Sequence, residues 1–196
     1  LVHGSRPQIE ELMGLRKLEG QFYKGVRITG PQELECVKEA CGETRFDIEA
    51  AFSQGLPNTP MQHSRIKVVS GNFVTARPMG IIDGVDYLHT GVVRKVDAES
   101  IQDLLSRGNI VLVSPTGFSP TGEAFNLTTE DVATAIAVAI HADKLILSVG
   151  VDGVRVRGEK QQDLTAQQAQ ALIQSKQVDD EDVYNLGYAL RAIKGG

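Results

Sequence analysis

Few cysteines and no long hydrophobic runs occur in this sequence. Cys36 and Cys41 are the only cysteines. A separation of five positions on one helix would put their side chains on different faces, where a disulfide would be strained. We therefore expect reduced, structural thiols. The longest apolar stretches, such as residues 110–113 and 144–149, fall far short of the roughly 20 residues that a membrane-spanning helix needs. We expect no membrane partner.

The sequence also lacks a cluster of positive charges and a set of histidines and cysteines spaced as metal ligands are. Lysines and arginines are scattered, and the formal net charge is -5, whereas binding to a phosphate backbone requires a basic patch. We expect no nucleic-acid partner. The four histidines have no Cys or His companions at metal-ligand spacing, so we expect no metal. Residues 1–3 do not form a secretory signal, which favours a cytoplasmic protein.

An α/β fold is predicted by the order of the hydrophobic patterns. From residue 66 onward, β-rich apolar runs alternate with amphipathic helical patterns, as in a sheet covered by helices. The predicted strands cover residues 25–29, 66–70, 73–76, 92–96, 110–113 and 144–149. The predicted helices cover residues 31–40, 97–105, 128–142, 165–175 and 183–193, and residues 46–52 either extend the first helix or form another.

Turn and capping residues give the expected boundaries. Gly71-Asn72 predicts a hairpin between residues 66–70 and 73–76. Asp97 predicts one helix start, and Thr128 with Asp131 and Thr165 with Gln168 predict two more, each as a capping pair. In the first helix, Leu34, Val37 and Cys41 repeat at helical spacing.

Three segments rich in glycine and proline fall where ligands bind in an open α/β sheet, beyond the carboxyl ends of strands. They cover residues 3–7, 114–126 and 150–153. Their glycines either let backbone N–H groups approach an anion or simply form tight turns. None of the three matches a Walker phosphate loop or a dinucleotide fingerprint.

Individual polar residues within this pattern leave two interpretations open. Arg27 lies among apolar neighbours and could hold a ligand carboxylate or form a surface ion pair. Asn126 could bind a ligand or satisfy the loop backbone. Ser5, His63 and Asp83 are disfavoured as a catalytic triad, because no nucleophile-elbow sequence surrounds the serine.

Five motifs in order resemble a known family. They are Val2-His3-Gly4-Ser5-Arg6-Pro7-Gln8-Ile9, Val26-Arg27-Ile28-Thr29, Val69-Ser70-Gly71-Asn72-Phe73, Asp83-Gly84-Val85-Asp86-Tyr87 and Phe125-Asn126-Leu127-Thr128. Together they resemble the amino-acid-kinase-like N-terminal domain of the bacterial N-acetylglutamate synthases, over nearly the whole chain. The resemblance implies a three-layer α/β/α sandwich with a largely parallel sheet, as in the acetylglutamate and carbamate kinases.

Differences from the kinases disfavour phosphoryl transfer. The kinases carry a run of glycines after the His-Gly pair, where this chain has Ser5 and Arg6 after Gly4. The kinase aspartate that follows the asparagine by four positions falls on Glu130. Arg27 and Asn126 match kinase positions that contact the acetylamino acid. The resemblance therefore implies that Gly4, Ser5, Arg6, Arg27 and Asn126 line a retained or vestigial acetylamino-acid pocket, with no catalytic residue.

In the synthases, a separate C-terminal domain transfers acetyl from acetyl-CoA to glutamate and carries an Arg/Gln-x-x-Gly-x-Gly/Ala loop. Residues 77–80 begin this pattern, but Ile82 occupies its last position. We therefore expect residues 1–196 to be one kinase-like domain, cut at both ends, without the acetyltransferase domain or a cofactor of its own.

The resemblance implies an arginine-binding feedback sensor within a homo-oligomer at the first step of arginine synthesis. The alternatives are an active acetylglutamate kinase and a scaffold domain that binds no ligand.

Overall fold

The computed structural model describes residues 1–54, 66–148, 150, 153–156, 159–175 and 177–195. The chain divides into two compact units, Leu1–Val132 and Ala133–Gly196. The helices in the described ranges are α1 (Arg6–Leu15), α2 (Pro31–Ser53), α3 (Ala98–Ser106), α4 (Thr129–Ala139), α5 (Ala166–Ser175) and α6 (Asp180–Gly195). The strands are β1 (Gln21–Tyr23), β2 (Val26–Ile28), β3 (Val68–Ser70), β4 (Val74–Pro78), β5 (Ile81–Ile82), β6 (Val85–Asp86), β7 (Gly91–Val96), β8 (Ile110–Leu112), β9 (Thr116–Phe118), β10 (Ala124–Asn126), β11 (Arg155–Val156) and β12 (Glu159–Lys160). The predicted α/β class is confirmed.

A parallel layer forms in the first unit around β8. β3 pairs with β8 in parallel, with Val69 opposite Val111. Val2 forms a parallel bridge to Val113, and His3 N–H donates to the Val113 carbonyl at 3.2 Å. The start of the chain and β3 therefore both run parallel to β8. Strands in such a layer are typically apolar on both faces, which agrees with the apolar run that predicted β8.

The second sheet of this unit is mixed, in the order β10-β9-β4-β7. β4 is antiparallel to β7 and parallel to β9, while β9 and β10 form an antiparallel hairpin. Gly117 in β9 permits close packing, since a Cβ there would lie 2.8 Å from the Ala76 Cβ and 3.0 Å from Leu127 Cδ1. Phe125 and Val74 are buried in this sheet.

The predicted hairpin around Gly71-Asn72 is wrong. β3 pairs with β8, and β4 pairs with β7 and β9, so these two residues connect strands of different sheets. The Phe73 ring lies so close to Gly71 that a Cβ at Gly71 would be 2.9 Å from the ring. Pairing with distant strands outweighs the local turn signal, because strand preferences depend on the packing of neighbours.

The predicted strand over residues 144–149 is also wrong for its described part, residues 144–148, which have no regular structure. Ile146 in this segment is 78% exposed. An apolar run becomes a strand only where a neighbouring strand satisfies its backbone groups, and the run by itself does not provide that neighbour. Val149 lies outside the described residues.

Helices α1 and α2 pack together around a shared hydrophobic cluster. Pro31 begins α2, which continues to Ser53, so residues 46–52 extend the first predicted helix. The cluster between the two helices contains Ile9, Met13, Cys36, Val37, Ala40 and Cys41. Leu34, another predicted core residue, is also buried. Both cysteines are free, which confirms the expected reduced thiols, although both face the same core cluster.

The start and the end of α3 follow their sequence signals. The Asp97 carboxylate accepts hydrogen bonds from Ser100 N–H at 3.2 Å and from Ser100 Oγ at 2.7 Å, which caps α3. Gly108 follows this helix with φ +75°, a conformation that glycine adopts without strain. α4 begins after Thr128, as predicted, but the carboxylate of Asp131, the predicted capping partner of Thr128, accepts a hydrogen bond from Val93 N–H of β7.

The second unit contains the packed pair α5 and α6. Thr165 N–H donates to Gln168 Oε1 at 2.8 Å, and Gln168 N–H donates to Thr165 Oγ1 at 3.2 Å. This confirms the predicted capping pair. Leu186 and Leu190 of α6 are buried with Ala169, as their spacing predicts, whereas Ile193 is exposed, so its predicted place on the apolar face is wrong.

Two hairpins of the first unit contact each other near their turns. Asp83 and Gly84 join β5 to β6 with φ of 52° and 80°, the left-handed pair that a two-residue hairpin requires. Lys24, in the turn between β1 and β2, forms an ion pair with Asp83 at 2.5 Å. The Tyr87 hydroxyl donates to the Tyr23 carbonyl at 3.2 Å, which further connects the two hairpins.

Candidate functional site

Arg27 and Asn126 are joined through two buried threonines. Thr29 is 0% exposed and Thr90 is 3% exposed. Thr90 Oγ1 donates to the Arg27 carbonyl at 2.6 Å and lies 2.9 Å from Thr29 Oγ1. Asn126 Nδ2 donates to the same Thr29 oxygen at 3.0 Å. We call these four residues the threonine network.

Backbone pairing holds the threonine network in place. Thr29 forms a parallel bridge with Leu88, and Thr90 forms one with Asn126. His89 N–H donates to the Thr29 carbonyl, and Asn126 N–H donates to the His89 carbonyl, both at 2.9 Å. Residues 88–90 therefore run between the end of β2 and β10, and they set the distance between Arg27 and Asn126.

The Arg27 side chain is surrounded by protein groups. It is 8% exposed, and its guanidinium forms an ion pair with Glu10. Nη1 donates to the Met13 sulfur at 3.1 Å, and the guanidinium carbon lies 4.6 Å from the centre of the Phe22 ring. Arg6 contacts the same ring at 5.5 Å. Arg27 thus forms an ion pair, which was one of the two interpretations of this residue. The Arg27 side chain in that pair is buried, however, and does not lie at the surface.

A second set of polar groups centres on His3. His3 Nε2 lies 2.8 Å from Ser114 Oγ, and Nδ1 lies 3.2 Å from Ser5 Oγ. Ser5 Oγ donates to Thr44 Oγ1 at 3.1 Å, and Thr44 donates to the Ala40 carbonyl at 2.8 Å. We call this the histidine chain.

The histidine chain has a definite direction. Ser5 has one hydroxyl hydrogen and gives it to Thr44, so it accepts from His3 Nδ1–H. In the neutral imidazole, Nε2 is then unprotonated and accepts the Ser114 hydroxyl hydrogen. The neutral form of His3 therefore carries its hydrogen on Nδ1.

Burial is the main cause of the pKa shifts in and beside the histidine chain. Desolvation lowers the pKa of His3, the Gly4 carbonyl opposes that change, and the positive charge of Arg45 adds to it. Burial raises the pKa of the Cys41 thiol, and the neighbouring Ser5 hydroxyl partly offsets that rise. Both directions favour the neutral side chain near pH 7.

A cleft of about 240 Å³ lies where β3 and β8 end. Arg45, Ser70, Asn72 and Ser114 are among its lining residues. Its position, beyond the carboxyl ends of parallel strands, is where α/β proteins bind ligands. Its volume is below the roughly 300–1,000 Å³ of pockets that enclose drug-sized ligands, so the cleft is too small to enclose a ligand of that size.

The structure separates the predicted pocket residues into two groups. Arg27 and Asn126 belong to the threonine network, and Arg6 joins Arg27 through the Phe22 ring. Ser5 belongs to the histidine chain and is 2% exposed, whereas Gly4 is exposed. A Cβ at Gly4 would meet Thr129 Oγ1 at 3.6 Å, an ordinary contact, so no close approach requires glycine there.

The predicted glycine loop over residues 114–126 is a hairpin instead. Gly117 packs inside the mixed sheet, and Gly122 takes φ +85° in the turn. Both glycines therefore have structural explanations that need no ligand. The segment over residues 150–153 belongs to the second unit, and its residues 151–152 lie outside the described residues.

The disfavoured triad gains no support from the described residues. Asp83 lies in a hairpin turn and pairs with Lys24, and Ser5 is hydrogen-bonded to His3. His63 lies outside the described residues. Across those ranges, no group of three or more His, Cys, Asp and Glu could hold a metal ion. No helix in the same ranges is long and apolar enough to cross a bilayer.

Sequence reasoning missed Thr90, Glu10 and Phe22. Thr90 gives no sequence signal, because its role arises from pairing with residues more than 30 positions away. Glu10 had an indirect signal: a buried arginine needs a counter-charge, and Glu10 is an acid on the helix that follows the His-Gly pair.

Comparison with known proteins identifies the class of this fold. Residues 1–184 match the sequence model of the Amino acid kinase family, and the chain belongs to that family. It is similar to the amino-acid acetyltransferase of Ralstonia nicotianae, with 56% identity over 197 residues that cover 100% of this chain and 44% of that relative.

Two solved structures of N-acetylglutamate synthase from Neisseria gonorrhoeae match this whole chain. One, complexed with coenzyme A and N-acetyl-glutamate, has a TM-score of 0.87 and 32% identity over 44% of that chain. The other, complexed with coenzyme A and L-arginine, has a TM-score of 0.88 and 33% identity over 46% of that chain. The chain thus spans less than half the length of these relatives, and the expected resemblance is confirmed.

Proposed function

We propose that this chain is the regulatory, arginine-sensing domain of an N-acetylglutamate synthase and does not itself catalyse acetyl transfer. The observation that carries the proposal is the similarity to the synthase structure that holds L-arginine, over the whole of this chain but only 46% of the other. The acetyltransferase loop pattern is not found in residues 1–196. Acetyl-CoA and L-glutamate would then react in the part of the protein beyond this domain.

The geometry around Arg27 and Ser5 supports a non-catalytic role. Phosphoryl transfer depends on positive groups placed around the transferring phosphate. Here the Arg27 guanidinium is engaged by Glu10, Met13 and the Phe22 ring. Ser5 is buried in the histidine chain, where the kinases have flexible glycine.

Arginine would act by binding one arrangement of domains more tightly than another, since only differential affinity shifts an equilibrium. As sensor, the domain would bind arginine when the product of the pathway accumulates and favour a less active arrangement. The resemblance further implies a cytoplasmic homo-oligomer, in which residues 1–196 form the kinase-like domain.

An active acetylglutamate kinase is the alternative. Membership of the Amino acid kinase family and the retained pair Arg27 and Asn126 favour it. Under this alternative, ATP and N-acetyl-L-glutamate would bind together and be turned over.

A thermal-shift titration distinguishes the two. The chain is melted with L-arginine, with L-lysine as the matched cationic control, and with ATP plus N-acetyl-L-glutamate. A ligand that binds only the folded state stabilises it and so raises the melting temperature. At 100 times its Kd, the ligand adds about 2.7 kcal/mol to the free energy of unfolding. We expect a saturable shift with arginine and none with lysine.

A shift with ATP plus N-acetyl-L-glutamate, accompanied by release of ADP, would replace the sensor with the kinase. If arginine and lysine shift the melting temperature equally, the effect is general to cations and the sensor proposal fails.

A further inference from the structure

The Glu10 carboxylate lies where a ligand carboxylate would bind Arg27. Its Oε1 contacts Arg27 Nη2, and arginine recognises carboxylates through hydrogen bonds of this kind. Arg27 is 8% exposed, so water does little to satisfy its charge. The protein therefore supplies the anion from its own chain.

The surroundings of Arg27 form a built anion-binding position. The Phe22 ring lies against one face of the guanidinium, and Met13 Sδ accepts from Nη1. Gly20 closes the position from another direction, because a Cβ there would lie 2.8 Å from Nη1 and 3.3 Å from the Phe22 ring. These contacts hold the guanidinium with Nη2 directed at Glu10.

The other partner is open to solvent. The Glu10 side chain is 46% exposed, so an anion from solution can reach the position that its carboxylate occupies. If the Glu10 carboxylate is removed, a small free carboxylate from solution can occupy its position beside the buried Arg27 guanidinium.

We propose that Arg27 is a carboxylate-binding site whose resident ligand is Glu10. While Glu10 is present, the site is closed to acidic ligands; without it, the site binds a small monocarboxylate such as acetate or formate. Glu10 is thus the residue that excludes acidic ligands from Arg27. This inference does not depend on arginine sensing, because it concerns only which anion neutralises the guanidinium.

The test uses Glu10→Ala in the 196-residue chain, melted in sodium chloride and in sodium acetate of equal concentration and pH. Removing Glu10 leaves the buried Arg27 guanidinium without its counter-charge, which destabilises the folded state. We expect a lowered melting temperature in chloride and a saturable rise in acetate. At 100 times its Kd, acetate lowers the unfolding equilibrium constant about 100-fold.

Three matched proteins make the response specific. Glu11→Ala removes an exposed acid from the next position of α1 and should melt like the unaltered chain in both salts. The unaltered chain should show no acetate-specific shift. The double variant Glu10→Ala/Arg27→Met lacks the guanidinium and should also give none.

If Glu10→Ala is unfolded in chloride, its far-ultraviolet circular dichroism must regain helix in acetate. The proposal is overturned if acetate has no specific effect on Glu10→Ala, or the same effect on the double variant. It is equally overturned if the unaltered chain binds acetate or N-acetyl-L-glutamate in a manner that Arg27→Met abolishes, because Glu10 would then not exclude acidic ligands.

Discussion

Two groups of polar side chains in the first unit form hydrogen bonds within each group. In the histidine chain, four side chains pass hydrogen bonds in one direction to the Ala40 carbonyl. In the threonine network, the buried hydroxyls of Thr29 and Thr90 are hydrogen-bonded to each other. Thr90 also binds a backbone carbonyl, and Thr29 a side-chain amide. Because an unpaired buried polar group is costly, each network favours one arrangement of the loops that carry it.

The histidine chain predicts a dependence of stability on pH. Burial lowers the pKa of His3 below its ordinary value of 6.5, so the unfolded chain takes up the proton first as the pH falls. The contribution of His3 to stability is full above about pH 6.5 and is lost as pH falls toward the folded pKa, by at most about 1.4 kcal/mol per pH unit.

Denaturant unfolding of the chain and of His3→Gln between pH 7.5 and 5 measures this contribution. The glutamine variant should be less sensitive to pH across that window. His141→Asn, which alters an exposed histidine, should retain the dependence of the unaltered chain. Equal pH profiles for His3→Gln and the unaltered chain would show that His3 is not desolvated.

Helices form where their local signals place them, whereas strand pairing does not follow local signals. Asp97 caps α3, and the Thr165–Gln168 pair caps α5 through backbone N–H groups within three residues. By contrast, β3 finds its partner β8 more than 40 positions away. Capping acts over one helical turn, which explains this difference in predictability.

Thr165→Ala should destabilise the second unit by about 1 kcal/mol, since it leaves Gln168 N–H without the threonine oxygen. Loss of α5 helicity and a lower denaturation midpoint report this change. Gln167→Ala, at an exposed position of the same turn, is the control and should change stability by less than about 0.5 kcal/mol.

Because Thr165 and Gln168 cap reciprocally, Thr165→Ala and Gln168→Ala should not be additive in the double variant. Strict additivity would mean that the two hydrogen bonds act independently and would contradict the capping-box interpretation.

At the scale of the whole molecule, the chain is a kinase-family fold that spans 44% of the Ralstonia nicotianae relative. Its two compact units contain the threonine network and the histidine chain in the first and the capped pair α5 and α6 in the second. The proposed function assigns arginine binding to this fold and acetyl transfer to a separate acetyltransferase part. The two activities can therefore be measured separately.

We expect residues 1–196 alone to release no coenzyme A from acetyl-CoA and L-glutamate, because the proposed catalytic part lies beyond this chain. A thiol assay for free coenzyme A measures this, with a full-length N-acetylglutamate synthase as the positive control. Glutamate-dependent release by this chain, at a rate comparable with the control, would contradict the proposed division.

The sequence alone determined the α/β class, the family, the helix starts at Asp97 and Thr165, and the buried face of Leu34, Val37 and Cys41. These properties depend on residue order and on contacts within one or two helical turns. The sequence also indicated Arg27 and Asn126 as related positions, through family motifs rather than through any visible contact.

Only the tertiary structure decided how β3 and β4 pair and that Glu10 neutralises Arg27. Each depends on groups that are distant in sequence and meet only when the sheets and helices pack. Strand partners and buried counter-charges are selected by that packing, so local patterns could indicate that Arg27 was unusual but not which carboxylate would reach it.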